Sequence, residues 1–137
     1  MLCDAAVEGA LDAAGSEVEL RILTAQEAGP DDVYWADALL LATPARFGSM
    51  AGIVKDFFER IYNECLTTSV GLSYALVVKG DTDVDGAVAS VERIATGMQW
   101  RQVLRPVRVV GKLEPEHRDE ARELGATLAA GLEAGIF

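Results

Sequence analysis

Positive charge is what this sequence has least of. Twelve Lys and Arg stand against 22 Asp and Glu, a formal net charge of -10 over 137 residues, whereas a surface that meets a phosphate backbone needs clustered cations. The balance argues against nucleic acid and anionic membrane as partners. Long hydrophobic runs are missing too: no stretch approaches the roughly 18 consecutive apolar residues of a membrane span, and Asp4 and Glu8 stand where a signal peptide has its basic and apolar regions. Cysteine is scarce, and Cys3 and Cys65 lie far apart at no metal or redox spacing. They read as small buried hydrophobes of a protein in a reducing cytoplasm. The single histidine, His117, lies among charges in "EPEHRDEAR", which reads as a solvated helix face. No Ser-His-Asp grouping can be argued, and no catalytic side chain is assigned.

What is present is the composition of an ordinary globular protein, 50% hydrophobic and 25% charged, with no repeat or low-complexity tract. The length suits one domain spanning residues 1–137. The start is Ala-rich and helical as far as Gly15-Ser16. Val18, Leu20 and Ile22 then alternate as in a short strand near a sheet edge. Pro30-Asp31-Asp32 signals a helix start, and "ADALLLATP" reads as a strand buried on both faces and ended by Pro44. A helix beginning near Ser49 or Met50 follows, with Met50, Ile53, Val54, Phe57, Phe58, Ile61 and Tyr62 at helical spacing. "LSYALVVKG" gives a second buried strand, Ala87, Val91, Ile94, Ala95 and Met98 a helical stripe, and "RPVRVVG" a last strand. Pro115 opens a final helix with Ala121, Leu124, Leu128 and Leu132 inward. The basic residues Arg101, Arg105, Arg108 and Lys112 read as the exposed flank of that last strand, with an anionic ligand as the lesser alternative.

This alternation is the mark of a parallel sheet with helices on both faces, a three-layer α/β sandwich. Ligands of such sheets sit beyond the carboxyl ends of the strands. Two loops qualify, residues 43–50 and 80–86. In the first, Pro44 fixes the strand exit and Gly48 lets the backbone approach a ligand, while the next helix start offers unpaired N–H groups to a flat, acceptor-rich or anionic group. An ordinary connection with Phe47 packed down as a core plug is the alternative.

The stretch "ATPARFGSMAGIVKDFFERIY" resembles the flavin-contacting loop and following helix of the flavodoxin-like NAD(P)H-dependent FMN reductases and quinone reductases, where a TP-x-RFG-x-M-x-G pattern recurs. The later "YALVVKGDTDVDGAVASVERIATGMQWRQV" is similar to the second half of proteins of that fold. The resemblance implies a flavodoxin-like sheet of order 2-1-3-4-5 with FMN at its edge. Carried across, Thr43, Pro44, Ala45, Arg46, Phe47 and Gly48 would contact the ribityl chain and one side of the isoalloxazine, and Gly80, Asp81 and Thr82 would approach from the second loop. It further implies hydride transfer from NAD(P)H through FMN to a small-molecule acceptor such as a quinone, in a homo-oligomer with a subunit contact through Phe57, Phe58 or Tyr62.

The same family begins with a strand and a Ser/Thr/Gly-rich phosphate loop, and this sequence starts at what resembles the helix after them. The fold is therefore expected to be N-terminally truncated, its first strand and phosphate loop absent, with FMN binding weak or lost in this chain. An empty strand slot leaves backbone groups unpaired at about 1–3 kcal/mol each. Three remedies are open: further sequence upstream, closure of the flanking strands, or a second chain in the gap. A domain without flavin that serves as a binding or assembly module is the alternative function.

One more motif competes. "DTDVDGAVASVE" fits the calcium-loop pattern, with Asp81, Asp83, Asp85 and Glu92 as ligands and Gly86 at the turn. A calcium loop is entered from a helix, however, and this one is entered from a strand. The preferred reading is a turn in which Asp83 or Asp85 caps the next helix, with no metal assigned.

Overall fold

The computed structural model describes residues 2–15 and 17–137. Helix α1, Leu2–Ala13, buries Leu2, Ala5, Ala6, Gly9 and Ala10 along one face. The alternating segment that follows forms no strand: residues 18–23 run extended, and among the described residues Val18 N–H to the Gly15 carbonyl (3.2 Å) is their one backbone hydrogen bond. A period-two pattern prepares a strand, but a strand needs a neighbour with which to exchange hydrogen bonds, and none of the described residues pairs with this one. A turn at Thr24 and Glu27 leads to α2, Pro30–Trp35, where the proline supplies the first helical residue.

β1, Ala38–Arg46, runs past Pro44 rather than ending there. Pro44 is the last β1 residue in register with the next sheet strand, so its missing N–H costs little ladder. Phe47 (φ 50°) and Gly48 (φ 73°) both take left-handed backbone, the geometry of a tight hairpin turn. The chain thus folds back as β2, Ser49–Met50, antiparallel to β1. That hairpin delays the following helix, α3, to Gly52–Cys65.

β3, Ser73–Gly80, is the buried centre of the sheet and pairs parallel with β1 from Ala38↔Ser73 to Pro44↔Lys79. After α4, Asp85–Gly97, the expected last strand arrives in two pieces, β4 (Arg101–Gln102) and β5 (Val107–Val110). Both pair parallel with β3, and Pro106, which cannot donate to a ladder, lies in the break. α5, Pro115–Glu133, closes the chain.

Successive β3 side chains face opposite layers. Tyr74, Leu76 and Val78 pack with Phe57, Phe58 and Ile61 of α3, Val88 and Val91 of α4, and Val33 of α2. Ala75 and Val77 pack with Ala5 and Ala6 of α1, Leu124 and Leu128 of α5, and Val107 and Val109 of β5. Leu39, Leu40 and Leu41 are only half-buried. Burial on both faces holds for β3, while β1 lies at an open edge.

The two cysteines divide, Cys65 buried and Cys3 exposed. No described helix is long and apolar enough to cross a membrane.

Candidate functional site

The carboxyl ends of β1, β3 and β5 converge. Gly111 N–H donates to the Gly80 carbonyl at 2.7 Å, joining the ends of β5 and β3. A Cβ placed on Gly80 would lie 2.9 Å from Ala45 Cβ, so the ends of β3 and β1 touch. The two loops singled out from the sequence are therefore one surface.

The β1–β2 hairpin is braced from below. Thr43 is buried, and its hydroxyl accepts the Ala51 N–H (3.0 Å) while donating to the Pro44 carbonyl (2.9 Å). Met50 N–H donates to Ser90 Oγ at 3.0 Å, and that hydroxyl donates to the Ala87 carbonyl at 2.7 Å. A Cβ on Gly86 would meet the Gly48 carbonyl oxygen at 2.2 Å, so only glycine lets the start of α4 support the hairpin this closely. Ser90 and Gly86 are the supports that sequence reasoning missed. Gly86 carried a signal, but one attributed to a calcium turn; Ser90 carried none.

On this base the tip stands clear. Phe47 is 108% exposed, so its ring plugs no core. The space where Gly48 would carry a Cβ is open. Arg46 is exposed, its guanidinium donating to the neighbouring Ala45 carbonyl at 3.3 Å. Ala45 and Pro44 are half-buried under the turn. In the second loop Gly80 is buried, and Asp81, Thr82 and Asp83 face solvent. The arrangement is an aromatic ring and an open glycine beside a polar loop, suited to a flat ligand with hydrogen-bonding edges.

The acidic residues do not assemble into a calcium site. Asp83 Oδ1 accepts the Asp85 N–H at 2.9 Å, Asp85 pairs with Arg108 at 3.4 Å, and Glu92 is half-buried on α4. Among the described residues no three His, Cys, Asp or Glu side chains are grouped to hold a metal. The strand before the loop decides the geometry, and Asp83 holds the first amide of the helix as a cap does. Glu92 instead bears on Tyr74, whose phenol is pushed up to about 12, first by burial and then by the Glu92 charge. Elsewhere Phe57 and Phe58 are buried within the chain, which leaves Tyr62 as the surface member of the expected subunit contact. Arg101, Arg105, Arg108 and Lys112 are exposed along β4, β5 and beyond, as their spacing suggests.

No protein-family model matches the sequence, and no curated protein does. Solved structures do match. A flavodoxin from the domain Archaea superposes with a TM-score of 0.79 at 16% identity, over 96% of this chain and 88% of its own. The flavodoxin, WrbA-like protein from Agrobacterium tumefaciens gives 0.77 at 17% identity, over 97% and 88%. A mutant of flavodoxin from Pseudomonas aeruginosa gives 0.76 at 19% identity, over 97% and 91%.

The fold is flavodoxin-like. The observed sheet runs β2-β1-β3-β4, with β5 also on β3, and residues 18–23 belong to no sheet. Residues 18–23 and 38–42 both line one cavity of about 260 Å³. The flanking segments have not closed on each other.

Proposed function

We propose that the β1–β2 hairpin and the loop after β3 bind the isoalloxazine of FMN, and that the protein is an FMN-dependent NAD(P)H oxidoreductase passing electrons to a small acceptor such as a quinone. The observation that carries this reading is the exposed Phe47 ring on a hairpin braced through Thr43, Ser90 and Gly86. An aromatic held clear of the core on a rigid support is a platform for a planar ligand.

The residues present fit the ring portion of the cofactor. Phe47 would cover a face, Pro44, Ala45 and the open Gly48 would line the ring and its ribityl chain, and Arg46 would reach a carbonyl or hydroxyl edge. Thr82 and the backbone of Gly80 and Asp81 would meet the ring from the second loop. Thr43, its hydroxyl already committed, serves by holding the hairpin. FMN supplies the hydride chemistry when bound, so the chain needs only to orient it and limit water. The exposed carboxylates of Asp81 and Asp83 would disfavour negative charge on a bound ring by repulsion.

The test is a thermal melt with FMN. A ligand of the native state at 100 times its dissociation constant adds about 2.7 kcal/mol, a shift of several degrees. Phe47→Ala is expected to shrink that shift while leaving the melt without FMN nearly unchanged, because an exposed ring contributes little to folding. A chain that FMN does not stabilise at millimolar concentration refutes the reading.

A further inference from the structure

We propose that Lys79 is a phosphate-recognition residue, so that the ligand of this site has a planar head for the Phe47 hairpin and a phosphate-bearing tail for Lys79. The identity of the head rests on the flavin reading above; the phosphate site does not.

Lys79 is the cation that the fold treats differently. Every other Lys and Arg of the chain is exposed, whereas Lys79 is half-buried in β3, whose remaining residues are all buried. An ammonium there gives up part of its hydration and regains it only from a partner. Arg21, Lys55, Arg60, Arg108 and Arg122 each have a carboxylate. Among the described residues Lys79 has neither a carboxylate nor a side-chain hydrogen bond.

Strand geometry fixes the layer it faces. Tyr74, Leu76 and Val78 face α3 and α4, so Lys79 shares the face of Ala75 and Val77, toward α1 and α5. Its register partners are Pro44 of β1 and Val109 of β5. Because β5 runs parallel to β3 and residues 111–114 carry the chain from it into α5, that helix starts at this carboxyl end. α1 runs parallel to α5, since Ala6 meets Gly125 near the middle while Gly15, just past α1, reaches Glu133 at the end of α5. Both helices therefore start on the side of Lys79.

A helix start presents unpaired N–H groups and the positive end of a dipole, and a lysine adds a full positive charge. All of these favour one kind of ligand group, a compact anion with many acceptor oxygens, and phosphate answers that description better than a carboxylate. The hairpin, in contrast, is braced from the opposite layer, by Gly86 and Ser90 of α4. Platform and ammonium thus flank the strand ends on opposite sides. A ligand that reaches both is elongated, flat at one end and anionic at the other. FMN has that form, and riboflavin is the same molecule without the phosphate.

Quenching of flavin fluorescence gives dissociation constants of FMN and riboflavin for the parent, Lys79→Met and Lys79→Arg. The parent is expected to prefer FMN by about tenfold or more. Lys79→Met should lose that preference by weakening FMN alone, and Lys79→Arg, which keeps the charge, should retain most of it. Without ligand, the urea midpoint of Lys79→Met is expected to equal or exceed that of the parent, because an unpartnered charge leaves a half-buried place. A merely structural lysine would lower the midpoint and leave the preference unchanged.

Unchanged FMN affinity in Lys79→Met overturns the proposal, and leaves a lysine whose stem covers apolar surface while its head reaches water. So does equal weakening of both flavins, which would place the effect on the ring or on the fold. If the parent binds neither flavin, the flavin reading has failed, and inorganic phosphate decides this one. Phosphate is then expected to raise the melting point of the parent above its value in chloride of equal ionic strength, and to raise that of Lys79→Met less. An equal rise in both proteins refutes the phosphate site.

Discussion

Gly86 shows how much of the site rests on a single missing methyl group. Its would-be Cβ meets a backbone oxygen, Gly48 O at 2.2 Å, and a backbone atom cannot swing aside as a side-chain tip can. Gly86→Ala is expected to push the hairpin off α4, at a cost of about 1–3 kcal/mol in urea unfolding, and to abolish the FMN-induced melt shift. Gly97→Ala is the control, since nothing lies within 4 Å of that position; it is expected to leave the FMN shift intact. Tyr74 gives a prediction in pH. Buried at 2% exposure and raised from 10.0 to about 12, it keeps its proton in the fold over a range in which the unfolded chain has lost it. Its stabilising contribution is therefore complete below pH 10 and is lost as pH climbs to 12, on the order of 2 kcal/mol by linkage. Urea midpoints measured across that window should fall for the parent and fall less for Tyr74→Phe. Equal slopes would place the loss elsewhere.

At the scale of elements, α1 and α5 cross with their backbones in contact. A Cβ on Gly9 would lie 1.9 Å from the Arg122 carbonyl oxygen, and one on Gly125 would lie 1.9 Å from that of Ala6. Two glycines on facing helices each admit the other's main chain, and Arg122 fastens the rim through Glu8 and Asp12. Gly9→Ala and Gly125→Ala, which would help an exposed helix, are each expected to cost about 1–3 kcal/mol here. The double variant should cost less than the sum, since the first separation makes room for the second. Urea denaturation of the four proteins checks this. Neither glycine announces itself in the sequence, where α1 and α5 read only as Ala-rich helices with an inner stripe. Legibility follows range. α3, α4 and α5 were readable because their periodic burial is local, β3 because its apolar run is unbroken, and the hairpin loop because its Pro, Phe and Gly lie together. Residues 18–23 carry strand periodicity but no strand, because pairing is decided by a neighbour far along the chain. The late start of α3 depended on Phe47 taking left-handed backbone, which its residue type disfavours.

For the molecule as a whole, the net charge of -10 sets both stability and the approach of ligands. Exposed carboxylates repel one another more in the compact fold than in the expanded chain, so screening should stabilise the fold. Raising salt from about 10 mM to 100 mM shortens the Debye length from about 30 Å to 10 Å, and the melting point is expected to rise by a few degrees, most of it within that interval. The same field bears on FMN, whose phosphate is itself anionic. If the whole-molecule charge governs encounter, FMN association measured by fluorescence quenching should accelerate with salt. Arg108 and Lys112, exposed toward the carboxyl end of β5, make the opposite local argument, whereas Arg101 pairs at the amino end of β3. Arg108 is already engaged by Asp85, and the loop carboxylates Asp81 and Asp83 lie between those residues and the hairpin in sequence and are exposed. The net repulsion should therefore prevail. Slowing with salt would instead show that the basic residues near β5 steer the ligand, and charge-reversal of Arg105 and Lys112 should then remove the salt dependence.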